Sequence, residues 1–363
     1  MIRHLQRIPL RIAVTGTRGK STVTRMIAAA LKEAGFTVLA KTTGSKPVLI
    51  FPDGREEEIT RRGLPTILEQ KKLVKRAAEL GVRAMVTEML SIQAECLSIE
   101  SGFLLQPQIL VITNARLDHR EEMGWTRSEI ARSLSCAIRP GTTSFVLASE
   151  RCPEFEAAAG RAGAKIITVE DTEADSIFDK DMRLAAAVAS YLGVSRARAR
   201  QGISAAVADF GSLKAWEVEL GIPPATWTLV SAFAANEPES SRLVLGHLQS
   251  KLALAGRPLV GILNFRADRG DRTRQWLDAH RQGFFSGFRS LYVVGAHVHS
   301  RLIRKRTGPP ALIPLPDCAP RVIMDKIASI EGAAPVLIGL GNIGGAGGAL
   351  VEYWEKIGRP RAL

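Results

Sequence analysis

A glycine-rich stretch near the start of the chain carries residue types that bind phosphate. Gly16-Thr-Arg-Gly-Lys-Ser-Thr22 follows a short β-branched run and precedes a helical pattern. Glycines let successive backbone N–H groups face an anion, the helix N-terminus adds its dipole, Lys20 adds a charge, and the Ser21 hydroxyl can ligate Mg²⁺. The stretch therefore predicts a nucleoside triphosphate site, although the same pattern also occurs as a tight strand-to-helix turn with an exposed lysine. Only two residues separate the glycines, whereas the usual phosphate loop has four.

Polar residues also end two other predicted strands. Glu88 follows the apolar run 83–87, and Lys41-Thr-Thr-Gly44 ends the run 37–41. Ligands of open parallel sheets bind at the carboxyl ends of the strands, so we expect these residues to lie beside the phosphate loop. A carboxylate there suits Mg²⁺, which prefers oxygen ligands. The alternative is that Glu88 only caps a following helix.

Asn114, Asp118 and His119 follow a fourth predicted strand, 109–113, and should reach the same edge. An aspartate beside a histidine suits either a second metal ion or the transfer of a proton. A single histidine is more often a structural residue, and that alternative stays open at this point.

Composition limits the class of protein. The net charge of +13 indicates nucleic acid, an anionic membrane surface or a polyanionic substrate as a partner, yet no basic patch is interleaved with aromatic residues. No apolar run is long enough to cross a membrane, and residues 1–10 lack the apolar core of a signal peptide. Four widely spaced cysteines are typical of reduced thiols in a cytoplasmic protein.

Strand-like and helical patterns alternate along the chain, which predicts an α/β fold with mostly parallel sheets. We predict two domains: residues 1–220, a P-loop domain with a parallel sheet, and residues 221–363, a smaller Rossmann-like α/β domain. Phe210-Gly-Ser212 and Gly221-Ile-Pro-Pro224 are expected to bracket a linker.

The second domain has its own candidate residues. Asn264 to Thr273 alternates arginine and aspartate directly after a predicted strand, where it could bind phosphate and ribose or form a solvated, self-paired turn. Gly339-Leu-Gly-Asn-Ile-Gly344 matches a dinucleotide fingerprint. The 19 residues that follow have the pattern of one helix and a basic tail rather than of the second strand that such a site needs, so we interpret these glycines as a close approach of a helix to a strand.

Taken together, the motifs and their order resemble the Mur ligase superfamily, and within it the ligase (B) subunits of capsule-type poly-γ-glutamate synthases. Any one motif is weak, but the ordered set is specific and extends over nearly the whole chain. The marks are Gly16–Thr22, Lys41–Gly44, Glu69-Gln70, Glu88, Asp118-His119, Phe233–Asn236, Arg266–Arg269 with Asp271–Thr273, and Gly341–Ile343.

The resemblance implies an ATP-dependent amide ligase that activates a glutamyl carboxylate as an acyl phosphate and joins it to a glutamate amine. It implies ATP and Mg²⁺ as cofactors, with Lys20, Glu88 and His119 as catalytic residues. Nucleotide contacts would come from Thr17, Arg18, Gly19, Lys20, Ser21 and Thr22, and from Asn236, Arg266 and Asp268 in the second domain. Metal ligands would be Ser21, Thr43, Glu88 and His119.

The implied partners are glutamate, the poly-γ-glutamate chain and membrane subunits of a synthase, which would hold a cytoplasmic protein at the inner face of the membrane. A homo-oligomer is compatible with this picture, and no nucleic acid is expected. Two departures from the family pattern stand out. No lysine lies between Asp118 and Lys165 to be carbamylated, and Lys214 stands where such ligases often have an arginine.

Two other functions remain compatible with the residues. One is a related ligase for a different acid and amine, because nothing in the sequence fixes the amine. The other is a nucleic-acid-dependent P-loop ATPase, which the net charge of +13 would suit.

Overall fold

The computed structural model describes residues 1–363 apart from 45, 62, 210, 253–255, 297, 299–302, 304–307, 317 and 333–334. The chain divides into two compact units, residues 1–210 and 211–363. Each unit is an α/β domain built on one sheet.

The first unit has an eight-stranded sheet in the order β4-β3-β2-β5-β1-β6-β7-β8. Six strands are parallel, while β3 and β4 form an antiparallel edge. The strands are β1 (Leu10–Thr15), β2 (Val38–Lys41), β3 (Val48–Ile50), β4 (Glu56–Glu58), β5 (Ala84–Glu88), β6 (Ile109–Ile112), β7 (Thr143–Leu147) and β8 (Lys165–Val169).

Helices cover both faces of this sheet: α1 (Ile2–Leu5), α2 (Lys20–Glu33), α3 (Glu69–Glu79), α4 (Ala94–Ile99), α5 (Arg120–Met123), α6 (Arg127–Ser135), α7 (Pro153–Ala162), α8 (Ile177–Tyr191) and α9 (Arg196–Ser204). A π-helical segment (Glu100–Leu105) continues α4, and a 3₁₀ turn (Ala148–Glu150) follows β7.

Strand β1 shows why the sheet has helices on both sides. Successive side chains of a strand point to opposite faces. Ile12 and Val14 accordingly pack in the core that contains α2, α8 and α9, whereas Ala13 packs in the core that contains α3, α6 and α7. A strand segment buried on both faces is a continuous apolar run in the sequence, as residues 12–14 of β1 are.

The second unit has a seven-stranded sheet in the order β13-β12-β11-β14-β10-β9-β15, in which β9 runs antiparallel to both neighbours. Its strands are β9 (Lys214–Leu220), β10 (Ala225–Ser231), β11 (Leu259–Phe265), β12 (Ser290–Gly295), β13 (Leu312–Pro314), β14 (Val336–Gly341) and β15 (Arg359–Arg361). Its helices include α10 (Pro238–Lys251), α11 (Gly270–Arg281), α12 (Pro320–Glu331) and α13 (Ala346–Ile357).

The α/β class with mostly parallel sheets is confirmed, but the boundary between the units differs from the predicted one. We placed it after residue 220, whereas the structure places it after residue 210. The reason is β9, which we took for part of a linker and which pairs with β10 from Lys214 to Leu220. Phe210, at one end of that predicted linker, lies outside the described residues. Among the described helices, none is long and apolar enough to cross a membrane.

Candidate active site

The glycine loop joins β1 to α2 at the carboxyl edge of the first sheet. Gly16 and Gly19 have φ angles of 124° and 81°. Residues other than glycine rarely adopt this region of backbone conformation. A Cβ on Gly16 would also collide with Thr113 Oγ1, and a Cβ on Gly19 would lie 2.6 Å from Asp181 Oδ1. Both glycines are therefore required by conformation and by space.

The two residues that follow β6, Thr113 and Asn114, hold this loop by hydrogen bonds. Thr17 Oγ1 donates a hydrogen bond to Asn114 Oδ1 at 2.6 Å, and the backbone N–H of Arg18 donates to the same oxygen at 3.2 Å. Asn114 Nδ2 and Thr113 Oγ1 in turn donate to the carbonyl of Arg18, at 3.0 and 2.5 Å. The N–H groups of Thr17 and Arg18 are thus bonded to Asn114. The donors left for an anion are those at the start of α2, which lack acceptors within the helix.

Lys20, the first residue of α2, folds back over the loop. Its Nζ donates to the carbonyl of Gly16 at 2.8 Å and approaches that of Thr17 at 3.4 Å. Burial lowers the pKa of Lys20, and the carboxylates of Glu88 and Asp118 oppose that shift. The loop thus holds an ammonium group at the helix terminus, between two acidic side chains.

Glu88 connects three segments at the strand ends. It is the last residue of β5 and only 3% exposed. Its Oε2 accepts hydrogen bonds of 2.7 Å from the Ser21 hydroxyl and from the backbone N–H of Thr43. A carboxylate beside a hydroxyl is a hard-oxygen donor set that fits Mg²⁺, with Glu88 and Ser21 as the residues that would hold it. Thr43 contributes its N–H to this contact.

His119 belongs to a second cluster. Asp118 Oδ2 lies 3.2 Å from Arg18 Nη2 and 3.5 Å from His119 Nε2, and Asp118 Oδ1 accepts from the backbone N–H of His119 at 2.9 Å. His119 has a φ of 49°, in the left-handed region that residues other than glycine rarely adopt. The described part of the chain holds no group of three or more His, Cys, Asp and Glu side chains that could bind a metal. A role for His119 at a second metal stays a prediction.

Asp181 is the residue at this edge that the sequence analysis missed. It lies on α8, is 6% exposed, and packs against Gly19. Burial raises its pKa well above the ordinary value, and the charge of Arg116 only partly opposes this. A signal was available, because Asp181 lies on the same helical face as the buried Leu184, Ala185 and Val188.

The predicted residues of the second unit form a separate set. Arg266 and Asp268 form a two-fold ion pair of 2.9 and 2.7 Å, with side chains 40% and 61% exposed. The carbonyl of Asn236 accepts a hydrogen bond from Trp276 Nε1 at 3.2 Å. Lys214 forms an ion pair with Glu355 at 2.7 Å. Their contacts with a nucleotide stay predictions.

The glycines from 339 to 344 bring backbone segments close together. Gly341 has a φ of 89°, and a Cβ there would lie 2.5 Å from the carbonyl oxygen of Asn264. Asn264 Nδ2 donates to the carbonyls of Asn342 and Gly344, the latter at 2.9 Å. The close approach at Gly341 is thus between the ends of strands β11 and β14, whereas we predicted an approach of a helix to a strand.

Comparison with known families matches most of the chain to two models. Residues 14–195 match the Mur ligase middle domain, and residues 220–357 match the C-terminal domain of the poly-gamma-glutamate synthase CapB. The capsule biosynthesis protein CapB of Bacillus anthracis is 31% identical over 285 residues, which is 76% of this chain and 61% of that protein. The PGA synthase CapB of Bacillus subtilis is also 31% identical over 285 residues, which is 72% of its length. The matched region thus spans less than two thirds of the B. anthracis relative.

Solved structures show the same fold at low sequence identity. A folylpolyglutamate synthase/dihydrofolate synthase from Yersinia pestis, complexed with AMPPNP and a Mn ion, has a TM-score of 0.66 at 14% identity and covers 98% of this chain and 90% of its own. E. coli FolC in complex with ADP has a TM-score of 0.65 at 15% identity, covering 98% and 91%.

Proposed function

The chain belongs to the Mur ligase family, and we propose that it is an ATP-dependent glutamate ligase that extends poly-γ-glutamate. The observation that carries this proposal is the contact of Glu88 with Ser21 and Thr43 beside the phosphate loop. It occurs in a chain whose two halves match a Mur ligase domain and a poly-γ-glutamate synthase domain.

In the first step, a carboxylate oxygen of the glutamyl chain end attacks the γ-phosphorus of ATP, and ADP leaves with the electron pair of the broken P–O bond. The loop favours this step by electrostatics. Lys20 and the N-terminal N–H groups of α2 stabilise negative charge on the transferred phosphoryl group. Lys20 moves from the carbonyls of Gly16 and Thr17 to the phosphate when ATP binds.

In the second step, the amine of an incoming glutamate attacks the acyl carbon, inorganic phosphate leaves, and the nitrogen loses a proton as the amide forms. A Mg²⁺ ion held by Glu88 and Ser21 would neutralise phosphate charge. We propose that the Asp118–His119 pair lies at the rim of the phosphate site and that Asn236, Arg266 and Asp268 contact the nucleotide. Positioning and charge neutralisation supply the catalysis, so no covalent nucleophile of the protein is needed.

The finer statements about partners are also proposals. The names of the relatives support glutamate and the poly-γ-glutamate chain as substrates. We propose that membrane subunits of a synthase hold the protein at the inner face of the membrane, and that a homo-oligomer is compatible with this arrangement. Basic residues near the start of the chain, including Arg3, Arg7 and Arg11, suit an anionic surface.

The test is an assay of the protein with ATP, Mg²⁺, glutamate and a short γ-glutamyl acceptor, with synthase membranes added in a parallel sample. We expect ADP and phosphate to be released in step with amide formation. AMP as the product would contradict the acyl-phosphate mechanism. Phosphate release that ignores which amino acid is offered would contradict a glutamate ligase.

The same assay separates the two other functions. If another amino acid stimulates phosphate release more strongly than glutamate, the chain is a related ligase for a different pair. If DNA or RNA stimulates ATP hydrolysis and amino acids do not, it is a nucleic-acid-dependent ATPase.

A further inference from the structure

The first unit contains a groove of about 760 Å³ that the proposed phosphoryl transfer does not use. It is formed by the end of β2, the β3–β4 hairpin, the segment after β4 and helix α3. We call it the α3 groove. Its volume is within the range typical of small-ligand sites, about 300–1,000 Å³.

The α3 groove has an apolar wall and a basic wall, and one exposed carboxylate, Glu57, also lines it. Leu49, Phe51 and Leu73 supply the apolar wall. Lys72 and Arg76, one helical turn apart on α3, are exposed at the groove. The guanidinium of Arg76 lies 5.7 Å from the centre of the Phe51 ring. A ligand that lies along this wall would contact apolar side chains and basic side chains at the same time.

The inner end of the groove is a buried charge cluster. Lys41 is 1% exposed, and its Nζ lies 3.3 Å from Glu69 Oε2. Arg61 binds both oxygens of Glu69, at 2.7 and 3.1 Å. Glu69 is thus shared by two cations, and the charge of the buried Glu100 carboxylate also acts on Lys41.

The inner end is structurally tied to the Glu88 site. Lys41 is two residues before Thr43, whose N–H binds Glu88. Gln70, which follows Glu69 and is fully buried, donates from Nε2 to the Glu88 carbonyl at 3.3 Å and to the buried Glu100 carboxylate at 2.6 Å. A chain lying in the groove with its end at Lys41 would therefore point that end toward Glu88.

We propose that the α3 groove binds the γ-glutamyl acceptor chain, with its pendant carboxylates on Lys72 and Arg76 and its terminal residue near Lys41. This assignment rests on the proposed function. A γ-linked glutamyl chain carries two methylenes in each repeat of its backbone and one carboxylate on each Cα, which matches an apolar wall beside a row of cations. A single-stranded nucleic acid fits less well. Among the described residues of the lining, the one aromatic ring is Phe51, which is 5% exposed and cannot stack on a base.

The experiment measures the binding of a fluorescent γ-linked pentaglutamate to the full-length chain by anisotropy, without ATP. The test variant is Lys72→Gln/Arg76→Gln. The matched control is Lys71→Gln/Lys75→Gln, which removes the same charge from the same helix at two exposed positions that do not line the groove. We expect the test variant to bind roughly five- to tenfold more weakly, as expected for the loss of two exposed charge pairs, and the control to change less than twofold.

Three results would overturn the proposal: no binding of the pentaglutamate to the unmodified protein, equal loss in the test and control variants, or equal displacement by a short DNA oligonucleotide. Ligation assays add an independent readout. The KM for the γ-glutamyl acceptor should rise in the test variant while the KM for ATP stays unchanged. Since the binding assay contains no ATP, it reports on the groove even if the ligase activity is absent.

Discussion

The acidic residues predicted for the site at the carboxyl edge of the first sheet are buried, whereas the Arg266–Asp268 pair predicted for the second unit is exposed. Glu88 and Asp118 are 3% and 6% exposed and are held by backbone N–H groups or neighbouring cations. Arg266 and Asp268 pair with each other in solvent. A buried charge lowers stability unless it is compensated, and buried, compensated carboxylates in a cleft are candidates for a functional site. An exposed ion pair carries no such information by itself.

Replacing Lys20 should have the largest effect. Lys20→Met removes the charge that the proposed mechanism places at the transferred phosphoryl group. We expect kcat for ATP-dependent amide formation to fall about 10³-fold, as when a strong electrostatic contact to a transition state is lost. Lys32→Met, an exposed change on the same helix, should retain activity. If a Lys20 variant kept a tenth of the rate, the charges at the edge of the first sheet would no longer be distinguished from the exposed pair of the second unit by a role in the reaction.

Glu88→Gln should have the next largest effect. The amide oxygen can still accept from the Thr43 N–H, but it is a weaker ligand for Mg²⁺ than a carboxylate. We expect about a 10²-fold loss of rate at low Mg²⁺ and partial recovery at high Mg²⁺, measured as a Mg²⁺ titration at saturating ATP. Glu33→Gln, an exposed change on α2, serves as the control. An unchanged Mg²⁺ dependence would show that Glu88 holds no metal.

Asp181→Asn tests the stability cost of a buried carboxyl group. Because burial raises the pKa of Asp181 in the folded state, the native fold favours the protonated form, and stability falls as pH rises above the unfolded carboxyl pKa of about 4. We expect the variant to be more stable than the unmodified protein at pH 7.5, with the difference closing toward pH 4 in denaturant unfolding. The exposed Glu173→Gln change should give no such trend. A difference that is independent of pH would contradict the burial argument.

Arg266→Gln should have the smallest effect on stability. Its ion pair with Asp268 is solvated, so the free energy of unfolding should fall by less than about 1 kcal/mol. Denaturant unfolding checks this directly. A loss of more than about 2 kcal/mol would mean that the exposed pair supports the second unit, and the contrast between the two edges would disappear.

The sequence predicted the central parallel strands of both sheets and the positions of the strand-end residues, because local signals determine them. The short edge strands β3, β4, β13 and β15 were not predicted. A buried parallel strand is a continuous apolar run, and the topology of parallel strands brings Ser21, Thr43 and Glu88 to one edge. Strand β9 was missed although Trp216, Val218 and Leu220 alternate with Glu217 and Glu219. We took the Gly221-Ile-Pro-Pro224 turn that follows it for the end of a linker.

Other features depend on tertiary contacts that no local pattern contains. The N–H groups of Thr17 and Arg18 were expected to face an anion, but Asn114 accepts from both. The position of Asp181 against Gly19 likewise depends on how α8 packs beside the loop. In both cases the side chain is close in space and distant in sequence.

The hydrogen bond from Thr17 to Asn114 joins residues 97 positions apart. During synthesis, the phosphate loop therefore leaves the ribosome long before the strand end that fixes its shape. The nucleotide site that we propose at residues 10–22 would form only after β6 has been made and has paired with β1. We therefore expect that a nascent chain ending before Asn114 does not bind nucleotide. Nucleotide binding during translation would then report when β6 pairs with β1.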